Sequence, residues 1–251
     1  MSSSLTSDLD WGTMDTWNRT ASELVDLLGL DHQPIAMTFT HNGAAGRPAQ
    51  FAKPMSEPTP DGRSGRVPAS CVFWMEAADA TFATVPADHG NCSVGRWVHG
   101  FAPLEEIAGA ADVGALFESG WVTTDDVGKV QVVEEDSTGI VYGPLRDATP
   151  DPDVVVLRLT PAQMMELGDA IPELELSGKP QCQIVAKAMS GQAAVSMGCA
   201  LSRERTGMSA TELTCAIPAE RLPAIVDRLR SVVGADRVVQ GYAADDRTRF
   251  S

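Results

Sequence analysis

Five cysteines, Cys71, Cys92, Cys182, Cys199 and Cys215, are the residues of this 251-residue chain best suited to chemistry. A thiolate is both a nucleophile and a soft metal ligand, so the spacing of the thiols decides what they can do together. Cys71 and Cys92 lie 21 positions apart, and Cys182 and Cys199 lie 17 apart. No Cys-x-x-Cys pair occurs, which argues against a zinc ribbon or a thioredoxin-type site. Thiols this far apart meet only if the fold brings them together. Four thiolates in one place suit zinc or an iron–sulfur cluster. Structural zinc usually takes its ligands in close pairs, so the wide spacing puts a [4Fe–4S] cluster ahead of zinc. Each cysteine also has an ordinary reading as a small buried hydrophobe. Cys215, inside the apolar "ELTCAIP", is assigned to that reading.

Charged groups follow both turn cysteines. Arg96 and His99 come after Cys92 in "CSVGRWVHG", and Arg203 and Arg205 come after Cys199 in "CALSRERTG". An arginine can grip an anionic substrate with two parallel hydrogen bonds. A histidine can donate a proton or bind a metal. His99, Arg203 and Arg96 are therefore the expected catalytic groups. Arg205 reads as solvated surface charge, and His89 in "DHGNC" is a weaker candidate. The signatures of P-loop, dinucleotide-binding, zinc-protease and serine-hydrolase sites are absent.

The elements that must position these residues recur along the chain. Pro34 leads the strand "PIAMTF", Cys71 opens a helix with Ala77 six residues on, and Cys92 sits in a turn before "PLEEI". Pro152 then leads "DVVVLRL", Cys182 opens a helix with Ala188 six residues on, and Cys199 sits in a turn ahead of "PAERL". Recurrence in the same order predicts an α/β fold of two pseudo-symmetric β-α-β-containing halves from an internal duplication, with a mixed sheet and helices. The expected segments are a disordered lead-in at 1–15, a first half at 16–120, a connection at 121–147, a second half at 148–240 and a tail at 241–251. The halves are expected to fuse into one compact unit with Cys71 over Cys182 and Cys92 over Cys199. Thr20 with Glu23 reads as the capping box of a first helix. Thr160 with Pro161 reads as another helix start. The Gly- and Pro-rich stretch 41–70 reads as a long functional loop that could close over the site.

Bulk properties limit the partners. The net charge of −15 and sequence pI near 4.5 repel phosphate backbones and anionic lipid, so nucleic acid and membrane are not expected. A small-molecule substrate or a redox partner remains. The longest apolar runs are too short to span a bilayer, and the first residues do not read as a secretory signal. Five cysteines without such a signal predict reduced thiols in a cytoplasm.

The chain resembles the prokaryotic family catalogued as domain of unknown function 169. The resemblance runs from about residue 20 to 230 and rests on "PIAMTF", the Cys71 helix, "CSVG", "IVYGPLRDATPDPDVVVLRLTPAQMMEL", "CQIVAKAMSGQAAVSMGC" and Arg203. It implies the same fold and the same four-cysteine constellation, and brings no established activity. Three departures stand out. Thr38 replaces a common lysine, His99 replaces a usual leucine, and "C-A-L-S-R" replaces "C-N-G-D-R". If these positions line a pocket, they imply a substrate different from that of the relatives.

Overall fold

The apolar run after Pro34 forms β1 (Ile35–Thr40), whose side chains alternate between two cores. Ile35, Met37 and Phe39 enter one core and Ala36 the other. A strand covered on both faces reads as a continuous apolar run, as this one does. The computed structural model describes residues 11–40, 69–134, 137–148 and 151–250. The expected loop at 41–70 lies almost wholly outside them.

Among the described residues, β1 joins β2 (Phe82–Thr84), β3 (Gly139–Pro144), β4 (Val154–Leu159), β5 (Glu175–Leu176), β6 (Ala194–Ser196) and β7 (Leu213–Pro218) in one mixed sheet. The order is β2-β3-β1-β4-β7-β6-β5. β1 and β4 pair antiparallel at the centre. β3 is antiparallel to both β1 and β2, so those two run parallel with β3 between them. β7 separates β4 from β6 in the same way. Each half is thus a split β-α-β unit with its last strand inserted in the middle.

The register repeats as well. Ile35 opposes Pro144 at the end of β3, and Val154 opposes Pro218 at the end of β7. The next N–H in each case returns to the start of the half: Leu145 donates to the Pro34 carbonyl (2.7 Å), and Ala219 to that of Asp153 (3.0 Å). The topological counterpart of Pro218 is therefore Pro144, and not Pro103 as the sequence comparison has it. The expected connection at 121–147 contains β3, a strand of the first half. Pro103 and Pro144 are each followed by a leucine and two charged residues, and strand pairing distinguishes them.

Helices cover both faces. α1 (Trp11–Leu28), α7 (Pro161–Ala170) and α10 (Leu222–Arg249) pack on one core with Leu24, Leu157, Leu167 and Leu229. α2 (Ser70–Glu76) and α8 (Gln183–Met189) pack on the other with Trp74, Val156 and Ile184. α3 (Ser93–Val98) and α9 (Ala200–Thr206) follow the short strands β2 and β6. Three further helices, α4 (Leu104–Ile107), α5 (Ala111–Glu118) and α6 (Thr124–Val127), occur between α3 and β3. In the second half α9 leads directly to β7.

The Thr160 start holds: Gln163 N–H donates to Thr160 Oγ1 (3.4 Å), and Thr160 N–H to Gln163 Oε1 (2.7 Å). The Thr20 start does not, because α1 already begins at Trp11, within the expected lead-in. Inside that helix Thr20 Oγ1 donates to the Thr16 carbonyl at 2.9 Å. The apolar spacing from Ala21 onward marks the buried turns of the helix, and Trp17, one turn earlier, also packs on that core. Likewise, α10 continues to Arg249 through the expected tail.

Candidate functional site

Cys71 lies in the first turn of α2, and Cys182 is the N-cap of α8. Both therefore sit at the start of a helix. Cys92 caps α3 and Cys199 caps α9. α2 of the first half packs against α9 of the second. All four cysteines consequently line one cavity of about 30 Å³, together with Ser70, Gly95, Gln181, Ser202 and Arg205. A single water needs roughly 10–15 Å³, so the space admits more than one water-sized group. Cys215 belongs to the core on the opposite face of the sheet, between Thr214 and Ala216, which face the thiol side. Period-two alternation along β7 keeps it from the cavity.

All five thiols are free. Burial pushes Cys71, Cys92 and Cys182 up in pKa, and the neighbouring cysteines push Cys71 and Cys182 further. The Arg205 guanidinium opposes the rise at Cys71 and Cys92. These thiols are therefore neutral near pH 7, and a metal has to displace their protons to bind. Backbone N–H groups already point at two sulfurs. Gly95 N–H favours the Cys92 thiolate, and Ser202 N–H donates to Cys199 Sγ at 3.3 Å. Position 95 is tight for a side chain. A Cβ there would lie 3.2 Å from Cys92 Sγ and 3.3 Å from Ser70 Oγ.

Two polar atoms at the cavity lack partners among the described residues: Arg205 Nη1 and Gln181 Oε1. Buried polar atoms are normally paired, so such orphans call for an occupant. Soft sulfur donors with a cation beside them fit an anionic iron–sulfur cluster. The thiols surround the space without closing on one point. Among the described residues no group of three or more His, Cys, Asp or Glu side chains stands ready to hold a single ion.

A family model described as uncharacterised ArCR, DUF169, matches residues 23–228. The chain belongs to the DUF169 family. No curated protein and no solved structure matches it.

In this DUF169 protein the expected catalytic residues lie away from the thiol cavity. His99 is fully buried behind Ser70, in a chain of hydrogen bonds. Ser70 Oγ lies 2.9 Å from both His99 Nδ1 and His89 Nδ1, and His89 Nε2 lies 2.9 Å from Thr84 Oγ1. Thr84 donates to the Ile140 carbonyl (3.4 Å). With Thr84 donating there, the consistent assignment has His89 Nε2–H donating to Thr84, Ser70 to His89, and His99 Nδ1–H to Ser70; the opposite tautomers reverse each link. His99 Nε2 has no partner among the described residues. Burial lowers the pKa of His99 to about 3 and that of His89 well below its usual value. Both rings are neutral, so His99 is no ready proton donor.

Arg96 pairs with Glu106 at 3.1 Å and does not line the cavity. Arg203 holds backbone: its guanidinium donates to the carbonyls of Met197, Ser209 (2.8 Å) and Glu212 (3.1 Å). Arg205, read from the sequence as surface charge, is the arginine at the thiols. Reading "ALSRERT" as a helix would have found it. That places Leu201, Ser202 and Arg205 on one face and turns Arg203 away. Of the family departures, Leu201 and Ser202 line the cavity and His99 does not. Thr38 lies elsewhere, donating to the Asp151 carbonyl at 3.3 Å.

Proposed function

We propose that this protein holds one iron–sulfur cluster, of [4Fe–4S] type, on Cys71, Cys92, Cys182 and Cys199. It would then act as a redox or Lewis-acid enzyme on a small molecule. The observation that carries the reading is the meeting of two cysteines from each half at one cavity, beside a buried guanidinium donor without a partner. Zinc is the weaker choice. It needs sulfurs about 2.3 Å from a single centre, whereas a cluster takes its thiolates on separate irons and suits sulfurs arranged around a space. Four thiolate ligands favour electron transfer. Release of one would expose an iron able to polarise a substrate oxygen. The helix-start positions of the cysteines in both halves support an origin by duplication, each copy contributing two ligands. Free thiols suit a reducing compartment such as the cytoplasm. Among the described residues no helix is long and apolar enough to cross a membrane.

Anaerobic purification tests the reading. The expected product is brown and contains iron and acid-labile sulfide in equal amounts. A colourless protein with one zinc per chain overturns the cluster in favour of a metal-binding role. Absence of both metals after reconstitution leaves the thiols as core residues.

A further inference from the structure

The α4–α6 segment of the first half lines a second chamber, partly open to solvent, of about 300 Å³. That is the lower end of the size range of small-molecule sites, roughly 300–1,000 Å³. Its walls are mainly apolar, and Trp97, Phe117 and Trp121 contribute aromatic surface. Val94, Leu116, Trp121 and Pro180 line this chamber and the thiol cavity alike. The two spaces therefore share a wall.

Few polar groups reach the chamber. Asp126 Oδ2 accepts from Thr123 N–H and Thr123 Oγ1, each at 2.8 Å, and caps α6, while the carboxylate keeps its charge and is stabilised in part by Lys179. Lys179 lies over the Trp121 ring, 4.4 Å from its centroid, and donates to the Trp121 carbonyl. An ammonium has three N–H donors, so this contact leaves others free. The stacked position also fixes the cation at the edge of an apolar space. A flat apolar body with one acidic group matches this arrangement: apolar surface meets apolar wall, and the acid meets the ammonium.

We infer that the chamber binds an aromatic organic acid, with its rings among Trp97, Phe117 and Trp121 and its carboxylate on Lys179. The site is separate from the four thiols and does not depend on their occupant. Across the shared wall, its ligand lies next to whatever the cysteines hold.

Calorimetric titration of the full chain with 2-naphthoate, and separately with uncharged 2-methylnaphthalene, tests this in both metal-free and metal-loaded protein. Saturable binding of one naphthoate per chain is expected in both forms. Lys179→Met should weaken naphthoate about tenfold, the usual scale for a hydrogen bond to a charged group, and leave 2-methylnaphthalene unchanged. Ala108→Trp, at an exposed position of the lining, should fill the chamber and abolish both while preserving the unfolding midpoint. Failure of either probe to saturate the wild-type protein overturns the site. So does binding that survives Ala108→Trp in a folded variant. Equal naphthoate affinity in Lys179→Met overturns the assignment of an acid. None of these outcomes touches the cluster, which is read from iron and sulfide.

Discussion

The two halves of the sheet share strand order and register but surround their cysteines with different chemistry. The first half places a buried polar chain, Thr84–His89–Ser70–His99, behind Cys71 and Cys92, and adds α4–α6 with its apolar chamber. The second half has no histidine. There Gln181, the residue before Cys182, donates to Thr214 at 2.7 Å, while Arg203 closes the short link to β7 by binding three carbonyls. Two units of similar strand order thus bring their thiols to one cavity. The insertions and side chains peculiar to each half decide what surrounds them. The first half supplies the chamber beside the site, and the second supplies Arg205.

If the halves are equivalent as ligand carriers, Cys71→Ala and Cys182→Ala should each remove most of the iron and visible absorbance per folded chain. The remaining thiolates cannot complete the coordination. Retention of the cluster in one variant and not the other would break the symmetry.

The histidine pair sharpens the contrast through pH. His99 is neutral when folded down to about pH 3, whereas its ordinary pKa is 6.5. Between those values the unfolded chain binds a proton that the folded chain refuses, so stability falls as pH falls. Well below 6.5 one such histidine contributes about 1.4 kcal/mol per pH unit, and His89 acts in the same direction. Urea unfolding of His99→Leu should show an acid-side slope shallower by that amount. An unchanged slope would show that the burial of this ring does not govern acid stability.

The two arginines of α9 should separate by type of effect. Arg203→Met should cost roughly 2–3 kcal/mol of stability, because three carbonyls lose their donor. Arg205→Met, at a half-buried cavity position whose Nη1 has no partner among the described residues, should cost clearly less stability than Arg203→Met and should lower cofactor retention. Chemical denaturation together with iron analysis distinguishes the two, and the reverse pattern would return Arg203 to the site.

The smallest effects concern packing. Gly95→Ala should cost about 1–2 kcal/mol by crowding Cys92 Sγ and Ser70 Oγ. Cys215→Ala, on the far face, should cost about 1 kcal/mol and leave the colour intact. Burial raises the Cys215 thiol to about 12, so it also should resist alkylation in the folded protein. Bleaching in Cys215→Ala would refute its separation from the other four.

The sequence by itself determined the α/β class, the apolar runs that became β1, β4 and β7, and the Thr160–Pro161 helix start. Each of these rests on local periodicity or capping chemistry, which neighbouring residues express without help. It also singled out the four cysteines, because their order recurs with the elements around them. Tertiary structure decided the rest. Only pairing of β3 between β1 and β2 shows that Pro144, and not Pro103, matches Pro218. Only packing of α2 on α9 turns Arg205 into the cation of the cavity, sends Arg203 to the backbone and seals His99 behind Ser70. These outcomes depend on which side chain faces which neighbour. A charged residue two places along a short helix points to a different environment, and no property of its own identity records which.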